Sequence, residues 1–293
     1  MKLIVSGEPL PPDVQAKFPQ AGYAPCIDNQ EAVDSQGWHQ PRTLIESCRN
    51  RWALQNAALD SHAIVDQEDI LQRALSGGLR PDEPGDIDRM IWCAKQIMLT
   101  GKKFFPGLQW SHWCSVVNPI YVPNETGAGV RAATAIDMVA LSQQTAILRQ
   151  ACDVVECSVY PYYFPLQNGS ELNEPWIKAS TRAALKLAPQ RLVMMTIGNR
   201  WTNMQRYSRE FLTNLVKWIK AEYVMEGTRK DKVDIINLWH CDSYLYKIAT
   251  GEVDVEWWPG HKQQCIDAFL SPGAPTPAQI IAEDLQTIVE ALA

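Results

Sequence analysis

Five apolar runs in this sequence end in residues that could do chemistry. Asp28 and Glu31 follow 23-YAPCI-27, Gln109 and Trp110 follow the run at 103–108, and Tyr160, Tyr162 and Tyr163 follow 153-DVVECSV-159. Asn199, Arg200 and Trp201 come after 191-RLVMMTIG-198, and Trp239, His240 and Asp242 close the run that starts at Val233. Carboxylates, amides and many aromatics form an inventory suited to sugars. Aromatic faces stack on the apolar faces of pyranose rings, amides and arginine bind hydroxyls and acidic groups, and glycoside cleavage needs an acid beside the bond. Four of the 11 tryptophans, Trp38, Trp110, Trp201 and Trp239, fall at or just past such ends. Ordinary packing is the competing reading for each single aromatic.

Two more acids enter the same inventory. Glu156 shares a strand face with Ser158 and Tyr160, so if Tyr160 points into a mouth, Glu156 lies deeper. Burial there would suit either a general acid or a residue fixed by internal hydrogen bonds. Asp242, three residues past Trp239, is read as a loop residue.

Other chemistries find less. The five histidines show no H-x-H or H-E-x-x-H spacing, so no metal is expected, and no cofactor motif is seen. No G-x-S-x-G elbow occurs. His240 and Cys241 are neighbours on a strand, so they face opposite ways and form no nucleophile pair. The eight cysteines include no C-x-x-C pair and are expected to be buried thiols rather than a disulfide framework.

The elements that must position these residues are legible as short apolar runs bounded by turn formers. Strands are expected at 2–6, 23–28, 103–108, 153–161, 191–198 and 233–240, and less firmly at 62–66 and 115–121. Helical spacing appears between them. Phe211, Leu215, Trp218 and Ile219 share one face, as do Ile177, Thr181, Ala184, Leu185 and Ala188, and also Ile136, Val139, Ala140 and Ile147. Thr276 and Pro277 open a last helix carrying Ile281, Leu285, Ile288 and Leu292. Strands alternating with helices at this spacing imply α/β architecture with parallel strands. The expected fold is a TIM-barrel-like (β/α) barrel of seven or eight strands, a single domain over residues 1–293. In such a barrel the C-terminal strand ends build the site. The loop 126-TGAGV-130 lacks the third glycine and the Lys-Ser/Thr of a nucleotide-binding turn.

Composition narrows the function classes. With 293 residues, 46% hydrophobic and 20% charged, the chain is globular. Its net charge of −6 and scattered basic residues leave no footprint for nucleic acid. No apolar run approaches the roughly 18 residues of a membrane span. The opening MKLIVSGEPL is too short for a signal-peptide core, so the expected location is the cytoplasm or a virus particle. The sequons at Asn124 and Asn168 accordingly carry little weight.

The order of elements after Asp28 resembles the hyaluronidase-type glycoside hydrolases, whose acidic strand end has the form I-D-x-E followed by W-x-P. This sequence offers 27-IDNQEAVDSQGWHQP-41. Its 157-CSVYP-161 is similar to that family's P-S-V/I-Y strand, and 235-IINLWHCD-242 to its I-I-I-W-G. The resemblance spans about residues 23–242. It implies Glu31 as proton donor, Asp28 as the carboxylate that orients an acetamido group, and Tyr160 and Trp239 as sugar-binding walls. Position at the strand ends adds Tyr162, Arg200, Trp110 and Asp242 as expected substrate contacts. The resemblance also implies substrate-assisted cleavage, in which the sugar's own N-acetyl oxygen attacks the anomeric carbon. The spacing departs from the pattern, because Gln30 stands where the family has its acid and Glu31 is one residue late. Only the stretch 1–22 precedes Tyr23, less barrel than the family has there. The barrel is therefore expected to be incomplete at its N-terminus, or completed by the 61–122 region or by another chain.

Three readings stand side by side. The first is a glycosidase-like enzyme on an acetamido-sugar polymer, with a polysaccharide as partner. The second is a non-catalytic structural component of a virus or phage particle built on the same barrel, in a homo- or hetero-oligomeric assembly. The third is a carbohydrate-binding barrel without activity.

Overall fold

A computed structural model describes residues 1–28, 62–66, 85–113, 115–124, 129–160, 166–226, 228–254 and 260–293. Its centre is a set of parallel strands. β1 (Lys2–Gly7), β2 (Ala21–Ala24), β3 (Cys26–Asp28), β4 (His62–Asp66), β5 (Gln109–His112), β8 (Val154–Ser158), β9 (Leu192–Ile197) and β12 (Ile235–His240) build it, while β6 (Tyr121–Pro123) with β7 (Val130–Ala132) and β10 (Val224–Glu226) with β11 (Arg229–Asp231) form small hairpins. One ladder runs β2-β1-β12-β9-β8 and a second runs β3-β4-β5.

The two ladders are continuous through Pro25. Proline has no N–H to donate, so the stretch 21–28 breaks there into a half that pairs with β1 and a half that pairs with β4. Its carbonyl still accepts from Ile64 N at 3.0 Å. Counted as one strand, 21–28 makes the fold a seven-stranded parallel barrel among the described residues. The remaining seam, between β5 and β8, is closed by local bonds: Asp153 N donates to Trp110 O at 2.8 Å, and Trp110 N to Asp153 Oδ2 at 3.0 Å. β1 has partners on both sides, β12 and β2. The N-terminal side of the barrel is therefore closed, and of the alternatives expected it is the 61–122 region that completes the barrel, through β4 and β5.

The strands are largely apolar because both of their faces are covered. Leu3, Val5, Val155, Cys157, Val193, Met195, Ile236 and Leu238 pack outward, with Ile177, Leu215, Ile219, Leu285 and Ile288 of the covering helices Asn173–Leu187, Arg209–Ala221 and Pro277–Leu292. Ile4, Val154, Met194 and Ile235 form a second cluster with Ile64, Ile97 and Trp110. Each such buried aliphatic contributes about 1.5–3 kcal/mol relative to exposure. The last helix starts at a capping box between Thr276 and Gln279, and Ile281, Leu285 and Ile288 are its buried stripe. No helix among the described residues is long and apolar enough to cross a membrane.

The sequence expectations differ from the fold in three places. The strand expected at 103–108 is the last two residues of a helix, Gly85–Phe104, whose buried Ala94, Ile97 and Met98 recur at helical spacing, followed by a turn at 105–108, and the strand begins only at Gln109. The stretch 115–121 enters no barrel strand. The helix expected over 134–151 is broken into Ala135–Leu141, a 3-10 turn Ser142–Thr145, and Ala146–Ala151. Ser142 Oγ accepts from Val117 N at 2.8 Å, and Arg149 Nη1 donates to the Ser142 carbonyl and, at 2.7 Å, to Thr145 Oγ1, which together hold the break. Ile136 and Ile147 consequently face solvent, and Met138 and Leu148 are the buried residues.

Candidate functional site

Alternation along the strands sets what lines the barrel axis. Ser111 Oγ donates to Glu156 Oε2 at 2.7 Å, and Thr196 Oγ1 donates to Glu156 Oε1 at 2.6 Å, so these three side chains meet inside. Asn237 Nδ2 extends the chain to Thr196 Oγ1 at 3.1 Å. Ser115 pins the same strand, donating to Glu156 O at 2.6 Å and accepting from Glu156 N at 2.8 Å. Beneath this polar layer lie Val154, Met194 and Ile235, two residues earlier on their strands. Two residues further on from Ser111, Ser158 and Asn237 stand Trp113, Tyr160 and Trp239. Their ring centroids are 5.2 Å (Trp113 to Tyr160), 5.7 Å (Tyr160 to Trp239) and 6.3 Å (Trp113 to Trp239) apart. Trp113 is buried, and the other two are partly exposed. The barrel thus has an apolar floor, a polar middle and an aromatic mouth.

Glu156 is fully buried with both carboxylate oxygens accepting hydroxyl protons. Of its two sequence readings, this is the geometry of a residue fixed by internal hydrogen bonds. Burial, with Glu156 adding to it, pushes the Cys152 thiol up to about 12 and raises Cys157 as well. Both are free thiols, and both are inert because the thiolate is the reactive form.

The acidic strand ends come together through register. Asp28 closes β3 and Asp66 closes β4, and the two are ladder partners. Cys26, Ile64 and Ser111 form the row two residues before. Glu31, Trp38, Tyr162 and Tyr163 lie outside the described residues. Sequence reasoning passed over Asp66, although a signal was present. The segment 64-IVDQE-68 carries two acids at i and i+2, the spacing of the I-D-x-E form that 27-IDNQE-31 lacks. It also has two barrel strands before it rather than one.

Three other expected sugar contacts have different partners. Trp110 is fully buried on the outer face of β5, because Ser111 is the residue that faces in. It fills the space over Gly101, where a Cβ would come within 2.3 Å of the indole. Trp113 takes the place at the mouth that Trp110 was expected to hold. Placing the strand at 109–112 instead of 103–108 would have identified it. On the same outer face, burial lowers His112 to about 3, so it is neutral.

Arg200 and Asp242 are each other's partners. Arg200 Nε donates to Asp242 Oδ1 at 2.7 Å, and Nη2 approaches the same oxygen to 2.6 Å, with side chains only 6% and 1% exposed. Asn199 Nδ2 bridges Asp242 Oδ2 at 2.8 Å and Asp284 Oδ2 at 2.9 Å, and Arg206 Nη2 donates to Asp284 Oδ1 at 2.8 Å. The Arg200 guanidinium also lies 4.5 Å over the Phe269 ring, a cation–π contact. This buried network ties β9 to the helices that follow β12. It corrects the expectation that Arg200 and Asp242 reach a sugar, because their charged atoms are already engaged. Burial raises Asp284 despite Arg206.

β1 and β12 meet at the rim. Gly7 has φ +90, and a Cβ there would stand 2.2 Å from His240 O and 3.3 Å from Trp239 Nε1, a place only glycine fits. Glu8 follows; its Oε2 accepts from Ser243 N at 2.8 Å, and its carbonyl faces His240 Nε2 at 3.1 Å. Burial, then Asp242, raises the Glu8 carboxyl, although the Ser243 amide opposes it. Burial lowers His240 and raises Cys241 well above an ordinary thiol. Among the described residues no cluster of three His, Cys, Asp or Glu is arranged to hold a metal.

Comparison with known proteins places this architecture. No protein-family model and no curated protein matches the chain. Among solved structures it is similar to bee venom hyaluronidase in complex with a hyaluronic acid tetramer, at 10% identity and TM-score 0.56 over 83% of this chain and 91% of that one. It is also similar to a GH5-4 broad specificity endoglucanase from Clostridum cellulovorans, at 10% identity and TM-score 0.50 over 100% of this chain and 94% of that one. A third is PbGH5A, a glycoside hydrolase family 5 enzyme from Prevotella bryantii B14, at 10% identity and TM-score 0.50 over 100% of this chain and 96% of that one. The fold is that of the (β/α)-barrel glycoside hydrolases, with a distant resemblance to the hyaluronidase type.

Proposed function

We propose that this chain is a glycoside hydrolase that cleaves an acetamido-sugar polymer held in the mouth of the barrel. The observation that carries the reading is the trio Trp113, Tyr160 and Trp239 at the C-terminal strand ends, on the barrel that also sets Asp28 and Asp66 in register. The partly exposed rings of Tyr160 and Trp239, backed by the buried Trp113, supply walls for a pyranose, and the acidic strand ends supply the proton chemistry.

In substrate-assisted cleavage the N-acetyl carbonyl oxygen bonds to the anomeric carbon as the glycosidic C–O bond breaks, and one carboxylic acid gives its proton to the leaving oxygen. The resulting carboxylate then takes a proton from the water that opens the cyclic intermediate. One acid suffices, with a second carboxylate to orient the acetamido N–H. The i, i+2 spacing favours Glu68, itself outside the described residues, for the acid and Asp66 for the orienting group; Glu31 and Asp28 are the competing pair. The particle-component reading draws no support from the fold neighbours.

Hydrolysis of a chitin-type oligomer by Glu68→Gln and Glu31→Gln tests the assignment. Loss of a general acid costs about 10²- to 10⁴-fold in kcat. Glu68→Gln is expected to show that loss and Glu31→Gln to stay within a few-fold of the parent. The reverse pattern would return the acid to Glu31, and full activity in both variants would remove both pairs from the mechanism.

A further inference from the structure

A hydrogen-bonded chain crosses the inside of the barrel from β5 to β12. Ser111 on β5 and Thr196 on β9 both donate to Glu156 on β8, and Asn237 on β12 donates through Nδ2 to Thr196 Oγ1 at 3.1 Å. Every proton in it points toward the carboxylate. Hydrogen bonds aligned in one direction polarise one another, so the far end of the chain, Asn237 Oδ1, is a strengthened acceptor. Asn237 is fully buried, and no protein group donates to this oxygen. A buried acceptor left unmatched is costly, and native folds match nearly all of theirs.

The next strand, β1, brings the other half of a site. Its register sets Ile4 opposite Asn237 and Ser6 opposite Trp239, so Ser6 and Asn237 are diagonal neighbours on the inward face. Ser6 is also fully buried, and its Oγ has no partner. The hydroxyl does not donate directly to the amide oxygen, although the chemistry allows it. Diagonal residues on paired strands stand about 7–8 Å apart. Once both side chains reach inward, one oxygen atom with a bond of about 2.8 Å to each side fills the gap. Such a ligand must donate to Oδ1, and it can either donate to the hydroxyl or accept from it. Ile4 and Ile235 lie on the floor side of the site, and Trp239 on the mouth side. A ligand enclosed in this way is small and cut off from bulk solvent.

We propose that an internal water molecule binds between Asn237 Oδ1 and Ser6 Oγ, donating a proton to the amide oxygen, and carries the hydrogen-bonded chain from β12 to β1 beneath Trp239. Through Ser111, Glu156, Thr196, Asn237, the water and Ser6, the chain then links β5, β8, β9, β12 and β1. The water is a structural ligand of the barrel interior. The inference does not depend on what binds at the mouth, and its failure leaves the glycan reading standing.

A crystal structure of the parent protein at a resolution that shows ordered waters tests it, together with oxygen-17 relaxation dispersion in solution, which counts long-lived internal waters. The expected density is a single peak about 2.7–3.0 Å from both Asn237 Oδ1 and Ser6 Oγ. Ser6→Ala removes one of the two partners and is expected to lower the dispersion amplitude by about one water, with the fold checked by circular dichroism. A direct bond between Ser6 and Asn237, an amide turned so that Oδ1 faces Thr196, or no density between the two groups would overturn the inference. So would a dispersion amplitude unchanged in a folded Ser6→Ala protein. If the variant does not fold, the density in the parent decides alone.

Discussion

Replacing Arg200 or Asp242 separates a structural pair from a sugar contact. The two side chains are 6% and 1% exposed, joined at 2.6 and 2.7 Å, and Asp242 is further bonded to Asn199. Asp242→Asn leaves a buried guanidinium without its anion. Arg200→Met leaves a buried carboxylate whose charge already pushes up the carboxyls of Glu8 and Asp284. Each single change is expected to cost about 3–5 kcal/mol. The double variant should lose less than the sum, with a coupling of about 2–3 kcal/mol. Urea unfolding followed by tryptophan emission measures all three, with m unchanged if the native state keeps its compactness. Stability within about 0.5 kcal/mol of the parent in Arg200→Met, together with a large loss of glycan affinity, would refute this reasoning and make Arg200 the sugar contact its sequence position suggests.

Two further outcomes follow from the same geometry. Gly7→Ala would put a methyl 2.2 Å from His240 O at a φ of +90, so β1 and β12 must shift apart. A loss of roughly 3 kcal/mol in denaturant unfolding is expected, and a loss below about 1 kcal/mol would mean that the rim yields easily. His112 has a folded value near 3, below its ordinary 6.5. The unfolded chain therefore binds the extra proton between those values, and the stability gained from the neutral ring is complete above 6.5 and lost as pH falls toward 3. Unfolding series across this range should show a slope of up to about 1.4 kcal/mol per pH unit that His112→Gln removes; an unchanged slope would mean that another group titrates there.

Much of the barrel was legible in the sequence because strands covered on both faces read as uninterrupted apolar runs. Lys2–Gly7, Leu192–Ile197 and Ile235–His240 stand close to where 2–6, 191–198 and 233–240 were expected. Tyr160 and Trp239 reach the mouth for the same reason, since they end such runs. The errors come from signals that are local but ambiguous. Phe104 and Phe105 look like strand residues, yet the helical recurrence of Ala94, Ile97 and Met98 carries the chain through Phe104, and this shift exchanged Trp110 for Trp113. Arg200 and Asp242 are polar residues at strand ends, and only three dimensions show that they face one another. Asp66 ends a short strand whose apolar core is only Ala63, Ile64 and Val65, a weaker signal than the run that leads to Asp28.

The most direct test of a sugar-binding mouth is glycan binding by Trp239→Ala, with the fold checked by circular dichroism. Trp239 packs against Tyr160 and Trp113 at the mouth. Loss of a stacking ring is expected to weaken binding of an N-acetylglucosamine oligomer by about 1–3 kcal/mol, or roughly 5- to 150-fold. An affinity unchanged in a folded Trp239→Ala protein would contradict the account.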